Sequence, residues 1–232
     1  MIQVRSGADR GRFDHGWLQT QHTFSFGEFY DPDRMGFRSV RVINEDHVAP
    51  GRGFGMHPHR DMEIITIVLA GALEHQDSLG NGEVLRPGEV QRMSAGSGIR
   101  HSEFNPSATE SVHLYQIWLQ PKTNGITPSY EQQRFAEADR VGAWQLIVSP
   151  DASRGSLRIH QDARLFLATI PPRQTLSFDL TPGRAAWVQV LRGAVQWVGQ
   201  ELSAGDGASV QNESILNFAS REGAEVLLFD LA

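Results

Sequence analysis

The sequence contains no cysteine, and this absence excludes several classes of site. A disulfide framework, a thiolate nucleophile, a zinc ribbon and a Cys-ligated iron–sulfur cluster all require cysteine. Any metal ion must therefore be held by histidine and carboxylate side chains.

Long apolar segments are also absent. The longest apolar stretch, residues 64–73, already includes Thr66 and Gly71, and about 20 apolar residues are needed to span a bilayer. We therefore expect no membrane span. The N-terminal residues carry charges where a signal peptide needs an apolar segment, so we expect a cytoplasmic location.

No run of basic residues occurs anywhere in the chain. Lys and Arg number 21 against 27 Asp and Glu, which gives a net charge of −6. Because nucleic-acid binding depends on clustered positive charge, nucleic acid is not expected as a direct partner. The acidic balance leaves a protein partner open.

Turn-forming residues, in contrast, are frequent. The 23 glycines and 11 prolines divide the chain into runs of four to eight residues, which is typical of an all-β protein. Strands are predicted near residues 39–44, 54–59, 63–69, 73–77, 89–93 and 112–119. The Gly- and Asn-rich segment 77–82 predicts a hairpin turn. Only residues 130–139 are predicted to be helical.

A weak internal repeat predicts two similar β units. Residues 69–73 resemble residues 191–195, and residues 114–119 resemble residues 226–231. The polar stretch 121–128 is typical of a connection between domains. We therefore predict an N-terminal domain of residues 1–122 and a C-terminal domain of residues 123–232.

Two short motifs carry the residues suited to chemistry. In His57-Pro58-His59 the two histidines are separated by one residue, as are His101 and Glu103 further along. Residues i and i+2 of a strand lie on the same face, so each pair can converge on one ion. If both strands line the same barrel, three imidazoles and one carboxylate form a mononuclear metal site.

These motifs resemble those of the cupin superfamily. The spacing from Gly51 through His57 and His59 to Glu63 resembles the first cupin motif, and the segment from Gly98 through His101 to Asn105 resembles the second. The residues around both motifs are similar to the pirin branch. The resemblance covers essentially the whole chain and implies two tandem cupin barrels of the double-stranded β-helix, or jelly-roll, type.

The carboxylate ligand differs from the general cupin pattern. That pattern leaves six residues between its glutamate and the next glycine, whereas seven separate Glu63 from Gly71. A shift of one residue reverses the face of a strand, so Glu63 is expected to point away from the metal. The resemblance to pirins then implies Glu103 as the ligand, beside His57, His59 and His101.

The resemblance also implies a function. Some bacterial pirin-like proteins have quercetin 2,3-dioxygenase activity, which opens a flavonol ring with O2 and releases CO. We expect this activity here, with a flavonol-like aromatic substrate and with Glu103 as both ligand and base. One divalent ion is expected, with Fe(II) preferred and Mn, Co, Ni, Cu and Zn as alternatives. A non-enzymatic metal-binding regulator and a cupin enzyme with another small-molecule substrate remain alternatives.

The remaining histidines have weaker signals. His22 and His113 are interpreted as buried, hydrogen-bonded residues, with a supporting role beside the metal as the alternative. Four others lack a motif and are interpreted as ordinary polar positions: His15, His47, His75 and His160. The C-terminal unit has no His-X-His pair, so we expect it to bind no metal.

Overall fold

The computed structural model describes all 232 residues, and its regular structure is almost entirely strand. The first twelve strands are β1 (Ile2–Arg5), β2 (Gly11–Asp14), β3 (Leu18–His22), β4 (Val40–Val48), β5 (Gly53–His59), β6 (Glu63–Ala70), β7 (Leu73–Asp77), β8 (Gly82–Leu85), β9 (Glu89–Ser94), β10 (Ile99–Phe104), β11 (Val112–Leu119) and β12 (Ser129–Arg134). The other nine are β13 (Gln145–Ser149), β14 (Leu157–Arg158), β15 (Ala163–Ile170), β16 (Gln174–Asp179), β17 (Ala185–Trp197), β18 (Gln200–Ser203), β19 (Gly207–Gln211), β20 (Ile215–Ser220) and β21 (Ala224–Leu231).

Helical structure is limited to four 3₁₀ turns of three or four residues: Gly7–Asp9, Pro32–Arg34, Glu137–Arg140 and Ser153–Gly155. No helix is long and apolar enough to cross a membrane. Because strands make up nearly all of the regular structure, the all-β fold class is confirmed.

The helix predicted for residues 130–139 is wrong. Residues Ser129–Arg134 form strand β12, which pairs antiparallel with β9, and only Glu137–Arg140 is helical, as a 3₁₀ turn. The segment is rich in Glu, Gln and Arg, which favour helix, but helix propensity is a weak preference. Pairing with β9 instead provides hydrogen-bond partners for the backbone of this segment.

Contacts divide the chain into two compact units. The N-terminal barrel comprises residues 11–135 and 159–161, and the C-terminal barrel comprises residues 1–10, 136–158 and 162–232. The predicted ranges 1–122 and 123–232 stay a prediction. The contact units differ from them in three places, because residues 1–10 belong to the C-terminal barrel and residues 123–135 and 159–161 to the N-terminal barrel. Strand β12 pairs with β9 of the N-terminal barrel, and β1 pairs with β19 of the C-terminal barrel.

The N-terminal barrel consists of two sheets. Seven strands form one sheet in the order β12-β9-β6-β11-β4-β3-β2, and four form the other in the order β5-β10-β7-β8. One apolar cluster combines residues of both sheets: Leu18, Val48, Val68, Leu73, Leu85, Val112 and Leu114, with Trp17 and Phe54 packed against it. The sheets therefore pack face to face, as in a jelly roll.

The C-terminal barrel has one continuous sheet system built around the 13-residue strand β17, which pairs with β18, β19, β20 and β21. Its core includes Val188, Phe218 and Leu228, which are all 0% exposed. The structure confirms the expectation of two cupin barrels.

Corresponding glycines support the internal repeat. Gly71 has φ +76°, and a Cβ atom there would lie 2.7 Å from the Ser111 carbonyl oxygen, just before β11. Gly193 has φ +67°, and its Cβ would lie 2.1 Å from the Gly223 carbonyl oxygen, just before β21. Both sites combine a left-handed backbone with a close approach that only glycine permits.

The cupin-motif residue Asn105 fastens the loop that follows β10. It is 1% exposed, and its Nδ2 donates to the carbonyl oxygens of Val48 at 3.0 Å and Glu110 at 2.8 Å. Its Oδ1 accepts from the Ser107 amide at 3.0 Å. The side chain thus ties this loop to the end of β4.

We expect Asn105→Ala to lower the free energy of unfolding by about 2–4 kcal/mol, because three hydrogen bonds are lost and buried carbonyls lose their donor. Chemical denaturation measures the change. As a control, Ser107→Ala removes only exposed hydrogen bonds to Thr109 and Glu110 and should cost less than about 1 kcal/mol. Equal losses in the two variants would contradict this role for Asn105.

Candidate metal centre

Strands β5 and β10 bring the three predicted histidines together. The strands pair antiparallel with His101 opposite His57 and Ile99 opposite His59. The ring centroids of His57 and His101 are 4.4 Å apart, and His59 lies 4.8 Å from each. Their ligand atoms all lie within 4.8 Å of one another. Alternation along the strands produces this convergence, because His57 and His59 share one face of β5.

The environment of His59 and His101 keeps these two imidazoles neutral. Burial is the main cause that lowers the pKa of His59 to about 4 and that of His101 to about 2, with a further contribution from neighbouring imidazoles. Neutral imidazole is the form that binds metal ions. Nε2 of His101 is also buried without a hydrogen-bond partner. Leaving a buried nitrogen without a partner costs free energy, and a bound ion would provide that partner. Three imidazoles are a donor set that fits a divalent transition metal.

The Glu103 carboxylate is beside this cluster but belongs to a different grouping. A register irregularity in the β5–β10 pairing falls between His101 and Glu103, so Glu103 lies opposite Phe54. One of its oxygens lies within 4.8 Å of a ring nitrogen of His101 and of a ring nitrogen of His75. Gln116 Nε2 donates to both oxygens, at 3.1 and 2.9 Å. Complete burial raises the pKa of Glu103 to about 7. Its role as a ligand stays a prediction.

The Glu63 carboxylate contacts side chains outside the three-histidine cluster. It is fully buried and accepts a hydrogen bond from Ser94 Oγ at 2.7 Å, and its Oε1 lies 3.3 Å from His160 Nδ1. The next residue, Ile64, packs with Met93 in an apolar cluster. Glu63 is in none of the three groups of side chains able to hold a metal.

His75 is a residue of this site that sequence reasoning missed. It is fully buried on β7, and its Nδ1 lies 3.4 Å from Nδ1 of His101. Its Nε2 lies 3.3 Å from Asp77 Oδ2, and Gln91 Nε2 approaches its Nδ1 at 3.3 Å. Alternation within the predicted strand 73–77 places residues 73, 75 and 77 on the same face. That pattern could have identified His75 as buried, but not as a neighbour of His101.

A cavity of about 350 Å³ opens onto this cluster. His57, His59 and Glu103 contribute to its wall, and much of the remaining wall is aromatic, formed by Phe13, Phe26, Phe54 and Trp118.

Gln116 and Trp118 connect the cavity wall to the acid. Trp118 Nε1 donates to Gln116 Oε1 at 3.1 Å, and the amide of Gln116 holds Glu103. The Trp118 ring meets His59 and Phe26 edge-on, with centroids 4.8 and 5.2 Å apart. This chain of contacts fixes the acid and one wall of the cavity together.

Comparison with known proteins places these features in a family. A model described as Pirin matches residues 3–119, and one described as the quercetinase C-terminal cupin domain matches residues 146–231. Quercetin 2,3-dioxygenase from Escherichia coli strain K12 is 50% identical over 231 residues, which cover 100% of this chain and 99% of that protein. A pirin-like protein from Caulobacter vibrioides is 42% identical over 235 residues and covers 100% of both chains.

Solved structures of related proteins are similar to this chain over its full length. The crystal structure of YhhW from Escherichia coli has a TM-score of 0.96 at 50% identity and covers 100% of this chain and 98% of that one. The structure of bacterial pirin YhhW in complex with nickel(II), also from Escherichia coli, has a TM-score of 0.95 at 50% identity, covering 100% and 99% of the two chains. With its two matching domains and full-length relatives, the chain belongs to the pirin family.

Proposed function

We propose that this protein is a metal-dependent dioxygenase of the quercetin 2,3-dioxygenase type. The observation that carries the proposal is the grouping of three imidazoles, two of which line an open, aromatic-walled cavity together with a buried carboxylic acid. A planar aromatic substrate could therefore reach the site. The name of the Escherichia coli relative, which is 50% identical, supports the same activity.

His57, His59, His101 and Glu103 would hold one divalent ion. Three imidazoles and a carboxylate suit several first-row metals, and Fe(II) is the preferred candidate. The related pirin was solved in complex with nickel(II), which supports the binding of a divalent metal by this chain. A bound ion would supply the Lewis acidity and electron transfer that link a flavonol to O2.

The protein itself would bind and orient the substrate. Aromatic side chains prefer edge-to-face or offset contacts with other rings, so Phe26, Phe54 and Trp118 would hold a flavonol in the cavity and exclude water. The acid Glu103 lies on the same wall. Its carboxylate oxygen would take the proton of the 3-hydroxyl group, since a base with a pKa near the working pH is the most effective. Gln116 would keep that carboxylate in place.

His75 and Asp77 would fix the tautomer of His101. If Nε2 of His101 binds the ion, its Nδ1 carries the proton and donates to Nδ1 of His75. Nε2 of His75 is then protonated and donates to Asp77 Oδ2. Such partners orient a metal-binding imidazole and raise its basicity.

A regulatory protein whose ion catalyses nothing is the second candidate. An ion enclosed by protein would favour this role, whereas a roomy cavity favours catalysis. The cavity of about 350 Å³ beside His57 and His59 therefore supports the enzyme.

The first test is aerobic turnover of quercetin by protein reconstituted with Fe(II). We expect loss of flavonol absorbance together with release of CO, and neither in His101→Ala, which lacks the buried nitrogen aimed at the ion. Both signals are needed because free metal ions oxidise flavonols unaided. Absence of turnover with Fe, Mn, Co, Ni and Cu, in protein shown to hold the ion, would favour the regulatory function.

A second test separates the two roles of Glu103. Glu103→Gln keeps the size of the side chain but removes the base, so we expect turnover to fall about 10²- to 10⁴-fold and metal content to fall far less. Metal analysis and CO release on the same sample measure both. Glu63→Gln, the same change at a buried carboxylate outside the cluster, should leave both nearly unchanged. Equal losses of metal and turnover in Glu103→Gln would argue against the base.

A third test concerns His75. We expect His75→Phe to weaken Ni(II) binding about 10- to 100-fold, which is the usual effect of losing the partner of a ligating imidazole. Calorimetric titration measures this affinity, and thermal unfolding without metal checks the fold. His75→Gln retains a side-chain acceptor and should recover part of the affinity. Unchanged affinity in His75→Phe would show that His101 needs no such partner.

A further inference from the structure

A second cluster of metal-binding side chains lies elsewhere on the N-terminal barrel. It consists of Glu45 and His47 on β4 and His113 on β11. In the antiparallel pairing of these strands, His113 lies directly opposite His47 and Tyr115 lies opposite Glu45. None of the three has a role in the function proposed above.

The geometry of this cluster is compact. The ligand atoms of Glu45, His47 and His113 lie within 4.8 Å of one another. The two imidazole rings are stacked, with centroids 4.0 Å apart and planes inclined by 15°. Nε2 of His113 lies 2.8 Å from Glu45 Oε1. Zinc–nitrogen and zinc–oxygen bonds are about 2.0–2.2 Å long, so two ligands of one ion are up to roughly 4 Å apart. The stacked rings would have to rotate out of their parallel arrangement for both nitrogen lone pairs to point at one ion.

Strand alternation separates this cluster from the cavity. Asn44 and Asp46 on β4 and Gln116 on β11 line the cavity. Residues 45 and 47 alternate with residues 44 and 46, and residue 113 is an odd number of positions from 116. Glu45, His47 and His113 therefore lie on the opposite face of the seven-stranded sheet.

The cluster is also accessible. The side chain of His113 is 22% exposed and that of Glu45 is 11% exposed, and His47 is partly exposed. An ion could reach these ligands from solvent and keep water in its remaining coordination positions. Mg²⁺ and Ca²⁺ prefer sites made of oxygen ligands, whereas two imidazoles and one carboxylate suit Zn²⁺, Ni²⁺, Cu²⁺ and Co²⁺.

We propose that Glu45, His47 and His113 form a second binding site for a divalent transition metal ion, completed by water. The ion would link β4 to β11, which are neighbours in the sheet behind the cavity. Because it would bind the folded chain and not the separated strands, it would stabilise the protein in proportion to its concentration. This site is independent of the dioxygenase proposal, since it shares no residue with the first.

The test counts Zn(II) ions by calorimetric titration of the full chain. We expect two ions for the wild type, one for the double variant His47→Gln/His113→Gln, and one for the double variant His57→Ala/His101→Ala. The last variant isolates the second site, so its result does not depend on the proposed function. His15→Gln, which changes an exposed histidine outside both clusters, should still bind two ions.

A single variant guards against effects on folding. Glu45→Gln keeps both imidazoles and should weaken the second site at least about tenfold, since loss of a ligand costs more than loss of a ligand's partner. Zn(II) should raise the melting temperature of His57→Ala/His101→Ala, and Glu45→Gln in that background should remove most of the rise. Absence of a bound ion in His57→Ala/His101→Ala, or an unchanged number of ions in His47→Gln/His113→Gln, would overturn the proposal and leave His113 and Glu45 as an ordinary hydrogen-bonded pair.

Discussion

The candidate metal centre depends on one antiparallel register, in which His101 of β10 lies opposite His57 of β5. A shift of β5 by one residue would turn His57 and His59 to the other face of the sheet, away from His101. The ladder of backbone hydrogen bonds between these strands therefore determines the geometry of the site. The barrel also buries much of this site, and burial keeps His59 and His101 neutral, the form that binds an ion.

The irregularity in that register has its own structural requirement. Where β5 meets the irregular part of β10, a Cβ atom on Gly53 would lie 2.1 Å from the Glu103 carbonyl oxygen and 2.5 Å from Phe104 Cα. Only glycine allows this approach. Because an extra residue in a strand redirects the side chains around it, Glu103 lies opposite Phe54 and meets Gln116. The backbone contact at Gly53 thus helps to place the carboxylic acid beside the imidazoles.

The sequence predicted most of the fold because its signals are local. Turn residues and alternation located six strands of the N-terminal barrel, and the i, i+2 pairs identified His57, His59 and His101, which the structure brings together. The segment 130–139 failed for the opposite reason, since its conformation is decided by the distant strand β9. His75 has no local motif. Its contact with His101 depends on the pairing of β7 with β10, which no short pattern encodes.

The two clusters of the N-terminal barrel illustrate how a sheet separates chemistry by face. Along β4, Asn44 and Asp46 belong to the cavity, while Glu45 and His47 belong to the cluster on the other side. A single strand therefore contributes to two environments with different burial. On the inner face, burial raises the pKa of Asp46 to about 6 and that of Glu103 to about 7, which suits proton transfer. On the outer face, the same alternation leaves two imidazoles and a carboxylate within reach of solvent, which suits the capture of an ion.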